Sequence, residues 1–118
     1  MSKSINSLGL MSGTSGDGVD ASIINSDGKG QFKVLINKYF KYTDDISENI
    51  YTLKRNINKV EDIKKFAAEI NDLERKITLF HSNVVSNFTT KDNFEIDLIG
   101  FHGQTILHSP KDKYSKQL

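Results

Sequence analysis

The stretch GLMSGTSGDGVDASII, residues 9–24, decides the fold because it places a glycine-rich polar turn between two apolar runs. Gly13, Gly16 and Gly18 can adopt backbone conformations that are closed to other residues, which lets successive N–H groups converge on one point. N–H groups arranged in this way form a concave anion-binding nest. The stretch therefore predicts either a phosphate cradle or a plain glycine-rich hairpin, and composition alone leaves both open.

Hydroxyl and carboxyl side chains fill the rest of this turn. Thr14 and Ser15 supply hydroxyl donors of the right length for phosphate oxygens. Asp17 and Asp20 repel phosphate directly, but they could hold a hydrated Mg²⁺ that bridges to phosphates, or orient a water or substrate hydroxyl. No Gly-Lys-Ser/Thr follows, which excludes a Walker A loop, and the β-branched run from Val19 predicts a strand instead of the helix of a dinucleotide-binding fingerprint.

Hydrophobic periodicity outside the turn predicts an α/β domain of order β-β-β-α-α-β. Apolar runs and period-two alternation predict three strands in an antiparallel meander, and spacings of three and four predict two amphipathic helices. A fourth strand follows, which completes a mixed sheet with helices on at least one face. The predicted strands span residues 7–11, 19–24, 32–42 and 95–100, and the predicted helices span 46–57 and 58–88.

The helix boundaries depend on local capping signals. Asn58 followed by Glu61 fits an N-cap with a capping-box partner, which predicts a break near residue 58. The segment 89–93 ends the second helix, and Pro110, the only proline, is expected to stop regular structure after the last strand.

A second motif, GFHGQTILHSP, occupies residues 100–110. His102 and Gln104 flank a glycine directly after a strand, where open α/β sheets place ligand contacts. Together with Thr105 they can donate and accept hydrogen bonds to several sugar hydroxyls. A metal site at His102 and His108 has irregular spacing and no evident third ligand. The alternative is that these polar side chains cap local backbone, with His81 and His108 at the surface.

Composition narrows the class of protein. The 118 residues carry 16 basic and 15 acidic side chains, for a formal charge of +1, which gives no footprint for nucleic acid. No apolar run approaches the roughly 20 residues of a membrane span, and no signal sequence is recognisable. The absence of cysteine excludes disulfides and thiolate metal sites. We expect a cytoplasmic protein that binds neither nucleic acid nor membrane.

Together the two motifs resemble the signatures of the anhydro-N-acetylmuramic acid kinases. The first resembles Gly-Leu-Met-Ser-Gly-Thr-Ser-x-Asp-Gly-x-Asp, and the second resembles His-Gly-Gln-Thr followed by a nearby His and Pro. Both occur in family order. The resemblance implies a ribonuclease H-like, actin-like ATPase fold. It also implies a carbohydrate kinase that uses ATP and Mg²⁺ to open the 1,6-anhydro ring of anhydro-N-acetylmuramic acid and phosphorylate O6, a step of peptidoglycan recycling.

The resemblance also assigns site residues. It implies that the ATP phosphates bind at Gly13, Thr14, Ser15, Gly16, Asp17, Gly18, Val19 and Asp20. Of these, Asp17 would lie near the metal, through water. His102, Gln104 and Thr105 would lie on the sugar side. Two positions depart from the family pattern: Gly16 replaces a larger apolar residue, which predicts a looser turn, and Phe101 replaces a small one, which predicts a more crowded pocket.

The family resemblance covers the N-terminal, phosphate-binding domain. We expect residues 1–118 to form that domain in truncated form, with the second domain and the aspartate that activates water lying beyond Leu118. A chain of this kind is expected to be inactive alone. The alternative function is a non-catalytic nucleotide-binding or assembly module, the remnant of a split gene, in which an exposed apolar stripe supports a homodimer.

Overall fold

The computed structural model describes residues 3–13 and 15–118, and a four-stranded mixed sheet lies at its centre. Three α-helices, two short helical turns and a two-stranded sheet accompany it. The strands are β1 (Ile5–Ser12), β2 (Gly18–Ser26), β3 (Phe32–Lys41), β4 (Leu98–His102), β5 (Thr105–Ser109) and β6 (Tyr114–Gln117). The helices are α1 (Asp44–Asn56), α2 (Glu61–Lys65) and α3 (Ala67–Ser86).

The order of strands in the sheet is β3-β2-β1-β4. Strands β1, β2 and β3 form the predicted antiparallel meander, and β4 returns parallel to β1 after the helices. The turn between β2 and β3 contains Gly28 and Gly30, both with positive φ, as turn chemistry predicts. The prediction of an α/β fold with a mixed sheet and helices is therefore confirmed.

Alternation along β1 assigns the two faces of the sheet. Leu8 and Leu10 are buried against the helices, whereas Gly9 and Met11 lie on a face that no described helix covers. Buried side chains of α1 and α3 pack on the first face, and each fully buried apolar side chain contributes about 1.5–3 kcal/mol. The sheet is thus covered on one side and open on the other.

The helical segment breaks near residue 58, as predicted, but the cap differs. The Asp62 carboxylate accepts hydrogen bonds from the N–H groups of Asn58 and Lys59, at 3.0 and 3.2 Å. The capping box of Asn58 and Glu61 is therefore wrong, because the acidic side chain one residue later reaches both N–H groups. A second break at Phe66 separates α2 from α3, and a π-helical turn, Asn87–Lys91, follows α3.

The region after the helices holds more regular structure than the sequence predicts. The fourth strand begins at Leu98 and not at residue 95, since Asp97 uses its carboxylate to accept the N–H of Asn6. The expected loop after residue 102 is wrong: β5 and β6 form an antiparallel hairpin there. Pro110 begins a short 3-10 turn inside that hairpin instead of ending regular structure. The β-β-β-α-α-β order therefore gains a short helix and two strands.

None of the helices in residues 3–13 and 15–118 combines the length and the apolar character needed to cross a membrane.

Candidate functional site

Gly16 and Asp17, at the end of the loop between β1 and β2 (residues 13–17), rest on one face of α1. Ser47, Ile50 and Tyr51 are spaced three and four residues apart, so they share that face of the helix. The Ser47 hydroxyl donates to the Gly16 carbonyl at 3.1 Å, and the Tyr51 hydroxyl donates to Asp17 Oδ1 at 2.6 Å. The helix therefore fixes both the backbone and a carboxylate of the loop.

Gly16 fits this support tightly. Its φ of +74° lies in the left-handed region, and a Cβ atom there would come within 2.9 Å of Ile50 Cγ2. Glycine thus lets the turn close onto α1, because any side chain would both strain the backbone and meet the helix. The sequence predicts a looser turn because Gly16 replaces a larger apolar residue. In the structure the turn instead packs closely against α1.

The loop keeps N–H groups available. The backbone N–H groups of Ser15, Gly16 and Asp17 donate to no other residue in the part of the chain that the structure describes. Thr14, the other predicted phosphate contact in the loop, lies outside the described residues. Free, successive N–H groups next to a left-handed glycine are the donor set of an anion nest.

Gln104 connects the second motif to this loop. Its Nε2 donates to the Gly13 carbonyl at 2.8 Å and to the Thr105 carbonyl at 3.3 Å. The side chain is fully buried, and its Oε1 has no hydrogen-bond partner among residues 3–13 and 15–118. An unsatisfied buried acceptor costs about 1–3 kcal/mol, so a donor from a ligand or from water would be stabilising there.

His102 lies apart from Gln104, on the open face of the sheet. Strand register places Asp20 of β2, Met11 of β1 and His102 of β4 in one row across three strands. The row borders a shallow groove whose floor includes the paired residues Gly9 and Gly100. The structure thus divides the predicted sugar-side residues, with His102 in this groove, Gln104 behind the loop and Thr105 half-buried beside it.

The Tyr39 and Tyr51 hydroxyls lie near the carboxylates of Asp17 and Asp20 at the edge of the loop. Partial desolvation raises the pKa of Tyr39, and the charges of Asp17 and Asp20 raise it further. The hydrogen bond to Asp17 raises the pKa of Tyr51. Both phenols therefore stay protonated near neutral pH, and the Tyr51 hydroxyl donates to Asp17. A polyphosphate bound here would face two carboxylates, which favours a bridging cation.

A series of buried, hydrogen-bonded polar side chains lies beneath the start of the loop. The sequence analysis did not predict these contacts. Ser12 Oγ is 2.7 Å from the Tyr42 hydroxyl and 3.1 Å from His81 Nε2, and His81 Nδ1 is 2.8 Å from the Ile77 carbonyl. The expectation that His81 lies at the surface is wrong, since the residue is 4% exposed. Its spacing from Ile77 and Val84 on the apolar stripe of α3 was the available signal.

The structure bears on His108 and on the metal site considered at His102 and His108. His108 is exposed on β5, as predicted. In residues 3–13 and 15–118 no three His, Asp or Glu side chains form a group suited to a metal ion. His102 Nε2 instead lies 3.2 Å from the Gln117 amide nitrogen.

Comparison with known proteins identifies what the chain is similar to. Residues 5–118 match the family model described as anhydro-N-acetylmuramic acid kinase. An anhydro-N-acetylmuramic acid kinase of Pelagibacter ubique is 48% identical over 118 residues, which cover 100% of this chain and 32% of the relative. Relatives with the same description from Agrobacterium fabrum and Rhodopseudomonas palustris are each 32% identical over 94% of this chain. The chain spans about a third of the length of these relatives.

Proposed function

Because the chain belongs to the anhydro-N-acetylmuramic acid kinase family, we propose that it forms the phosphate-binding part of an ATP-dependent carbohydrate kinase. The reaction is the opening of the 1,6-anhydro ring of anhydro-N-acetylmuramic acid by water and transfer of the ATP γ-phosphoryl group to the freed O6. Its products are N-acetylmuramic acid 6-phosphate and ADP. Such a reaction belongs to the cytoplasmic recycling of peptidoglycan.

The hydrogen bond from Gln104 to the Gly13 carbonyl is the observation that carries this proposal. It joins the two motifs, which lie 91 positions apart in the chain, at the start of a loop in which the N–H groups of residues 15–17 donate to no described residue. Phosphoryl transfer depends mainly on positioning and on neutralising charge. A loop that presents N–H donors, held in place from two sides, supports that task.

The arrangement of the strands supports a finer fold assignment. An antiparallel meander with a fourth strand added parallel to β1 is the arrangement we expect for a ribonuclease H-like half of an actin-like ATPase. In such a fold the β1–β2 loop faces the nucleotide. We therefore assign residues 1–118 to the N-terminal domain of that fold.

The residues present fit a magnesium ion that arrives with the nucleotide. Mg²⁺ is usually held by one or two carboxylates together with substrate phosphates and water. Tyr51 occupies Oδ1 of Asp17, and Asp17 is exposed beside the loop. When bound, the ion would neutralise the phosphates; Asp17 would hold it, through water, and Tyr51 would orient Asp17.

Two groups of residues are suited to the sugar. Gln104 offers a buried acceptor next to the loop that no described residue occupies, and the groove on the open face presents Asp20 and His102. Hydroxyl-rich ligands need donors and acceptors of this kind in close succession. We assign the role of general base to none of the described residues.

Calorimetric titration with ATP, with and without Mg²⁺, tests the nucleotide site. We expect saturable binding that needs Mg²⁺ and that Asp17→Asn weakens several-fold, because the substitution removes the charge near the ion. Asp72→Asn, on the exposed face of α3, is the matched control and should bind like the wild type. Equal affinities for Asp17→Asn and wild type would contradict the assignment.

A chimera tests the kinase assignment. This chain would replace the matching 118 residues of the Pelagibacter ubique relative. Formation of N-acetylmuramic acid 6-phosphate from ATP and the anhydro sugar is expected, with loss of product on Asp17→Asn. A folded chimera that binds both substrates without forming product would contradict a competent phosphate cradle.

An assembly module remains the second candidate, and the open sheet face favours it. Met11 and Leu98 lie on that face, each 56% exposed, and apolar patches of this kind mark interaction surfaces. A homodimer would bury them. Sedimentation that shows concentration-dependent association, together with no ATP binding, would favour this candidate over the kinase.

A further inference from the structure

We propose that His81 is a positioning residue of the glycine loop, residues 13–17: it holds the Ser12 hydroxyl on the helix side of the sheet and so keeps the loop N–H groups open to phosphate. The claim rests on the proposed phosphate-binding role of that loop. Neither of the two sequence motifs contains His81, which reaches the loop from α3, 69 positions from Ser12.

The donors and acceptors among Ile77, His81, Ser12 and Tyr42 can be assigned, because the Ile77 carbonyl can only accept a hydrogen bond. The Ile77 carbonyl, 2.8 Å from His81 Nδ1, requires that nitrogen to carry the proton. His81 Nε2 is then an acceptor, and the Ser12 hydroxyl, 3.1 Å away, must donate to it. The Tyr42 hydroxyl donates in turn to Ser12 Oγ at 2.7 Å.

Burial makes this arrangement stable. Ser12, Tyr42 and His81 are 1%, 2% and 4% exposed. Burial lowers the pKa of His81 and raises that of Tyr42, so both side chains stay neutral near pH 7. The Phe101 ring packs edge-on against the imidazole, with centroids 4.8 Å apart, which further limits its rotation.

The contacts of Ser12 with Tyr42 and His81 affect the loop because of where Ser12 lies in the chain. Ser12 is the last residue of β1, directly before the loop. Serine hydroxyls at such positions readily bond to backbone N–H groups two or three residues ahead, which here include that of Ser15. In the structure Ser12 makes its contacts to Tyr42 and His81 instead, and the Ser15 N–H donates to no described residue.

Loss of His81 would release Ser12. In His81→Leu the serine loses the acceptor for its proton and keeps Tyr42 as one described partner, so its side chain can turn and accept a loop N–H. Phosphate would then compete with Ser12 for that donor. In the double variant Ser12→Ala/His81→Leu no hydroxyl remains to compete, so the donor is restored. A purely structural role for His81 predicts no such restoration.

The first experiment needs no ligand. Amide temperature coefficients of the ¹⁵N-labelled 118-residue chain report hydrogen bonding of the Ser15 and Gly16 N–H groups. We expect solvent-exposed values in the wild type, a shift toward hydrogen-bonded values in His81→Leu, and reversal in Ser12→Ala/His81→Leu. His81→Gln retains an acceptor near Nε2 and should resemble the wild type. Loop amides unchanged by His81→Leu, or changed without reversal, would overturn the proposal.

The second experiment uses inorganic tripolyphosphate with Mg²⁺ as the probe. We expect His81→Leu to weaken binding about fivefold to tenfold, the magnitude of one lost hydrogen bond, and Ser12→Ala/His81→Leu to recover most of it. His108→Leu, at an exposed histidine on β5, is the matched control. Failure of the wild type to bind would overturn the phosphate role of the loop, while the amide measurement still decides the positioning claim.

A third variant covers the case in which His81→Leu does not fold. His81→Phe keeps an aromatic ring beside Tyr42 and Phe101 but offers no acceptor to Ser12. It should shift the same loop amides toward hydrogen-bonded values, and Ser12→Ala/His81→Phe should reverse the shift. Loop amides that do not respond to His81→Phe would overturn the proposal.

Discussion

At the scale of single residues, the loop depends on contacts that a small change would disturb. Gly16 combines a left-handed backbone with a close approach to Ile50, and Asp17 receives the Tyr51 hydroxyl. Ser12 lies just before them with two buried partners. Each of these residues is fixed by a neighbour far away in sequence, so the loop's conformation belongs to the folded domain and not to the loop itself.

Gly16→Ala should destabilise the chain more than Gly28→Ala. Both glycines have φ of +74°, but a Cβ at Gly28 would meet nothing within 4 Å. The left-handed backbone alone costs an L-residue about 1–2 kcal/mol, and overpacking against Ile50 should add about 1 kcal/mol or more at Gly16. Urea unfolding of the two variants measures the difference. Equal losses would show that Ile50 does not confine the turn.

Stability should fall as the pH decreases below about 6.5, in part because of His81. Burial lowers the pKa of His81 below its ordinary value of 6.5, while its hydrogen bond to Ile77 opposes the shift. The unfolded chain therefore binds this proton at a higher pH than the folded chain, so the free energy of unfolding decreases as the pH falls from 6.5 toward the folded-state pKa. Urea unfolding across that window should show a smaller decrease for His81→Gln than for the wild type. Identical pH dependence would contradict a buried, neutral His81.

At the scale of elements, α1 is the support of the loop. Ser47, Ile50 and Tyr51 reach Gly16 and Asp17 from one helical face, while Gln104 holds Gly13 from the other side. The loop is thus held at its beginning and at its end. Contacts from α1 and from the segment after β4 therefore fix the conformation of this turn, which its own residues would not fix alone.

Tyr51→Phe should weaken Mg²⁺-dependent polyphosphate binding about threefold to tenfold, because Asp17 loses the donor that orients it. The phenyl ring remains, so stability should change little. Tyr114→Phe removes a phenol from the β5–β6 hairpin and is the matched control. Titration calorimetry with Mg²⁺ and tripolyphosphate measures the effect. Unchanged affinity in Tyr51→Phe would show that Asp17 is oriented by other means.

Periodicity predicted the elements that depend on it and failed where tertiary contacts decide. The meander and the break near residue 58 were predicted because their apolar spacing is regular, but the predicted helix over 58–88 divides at Phe66 into α2 and α3. The β5–β6 hairpin was missed because Pro110 and the polar residues after it are typical of loops, and only pairing with β5 makes β6 a strand. His81 was missed as a functional residue because its partner, Ser12, comes from a distant strand.

The structure brings the two motifs into contact, because Gln104 of the second motif donates to the Gly13 carbonyl of the first. The binding roles of the residues in both motifs stay predictions. The separation of His102 from Gln104 follows from strand alternation, since His102 is in register with Met11 on the open face. The end of β4 could be placed only once its register with β1 was known.

At the scale of the whole molecule, the sheet has one covered face and one open face, and the site lies where β1 and β4 end. The loop and Gln104 occupy that end, and the groove with Asp20 and His102 opens beside it. The family's relatives are about three times as long as this chain. We propose that this chain contributes the phosphate contacts and part of the sugar contacts.

A ¹H–¹⁵N NMR titration of the chain with ATP and Mg²⁺ decides whether the two motifs form a phosphate cradle. We expect saturable shifts at residues 13–20 and at Gln104 and Thr105, with adenosine at equal concentration producing none there. Shifts confined to other surfaces, or equal shifts with adenosine, would contradict a phosphate cradle built from the two motifs.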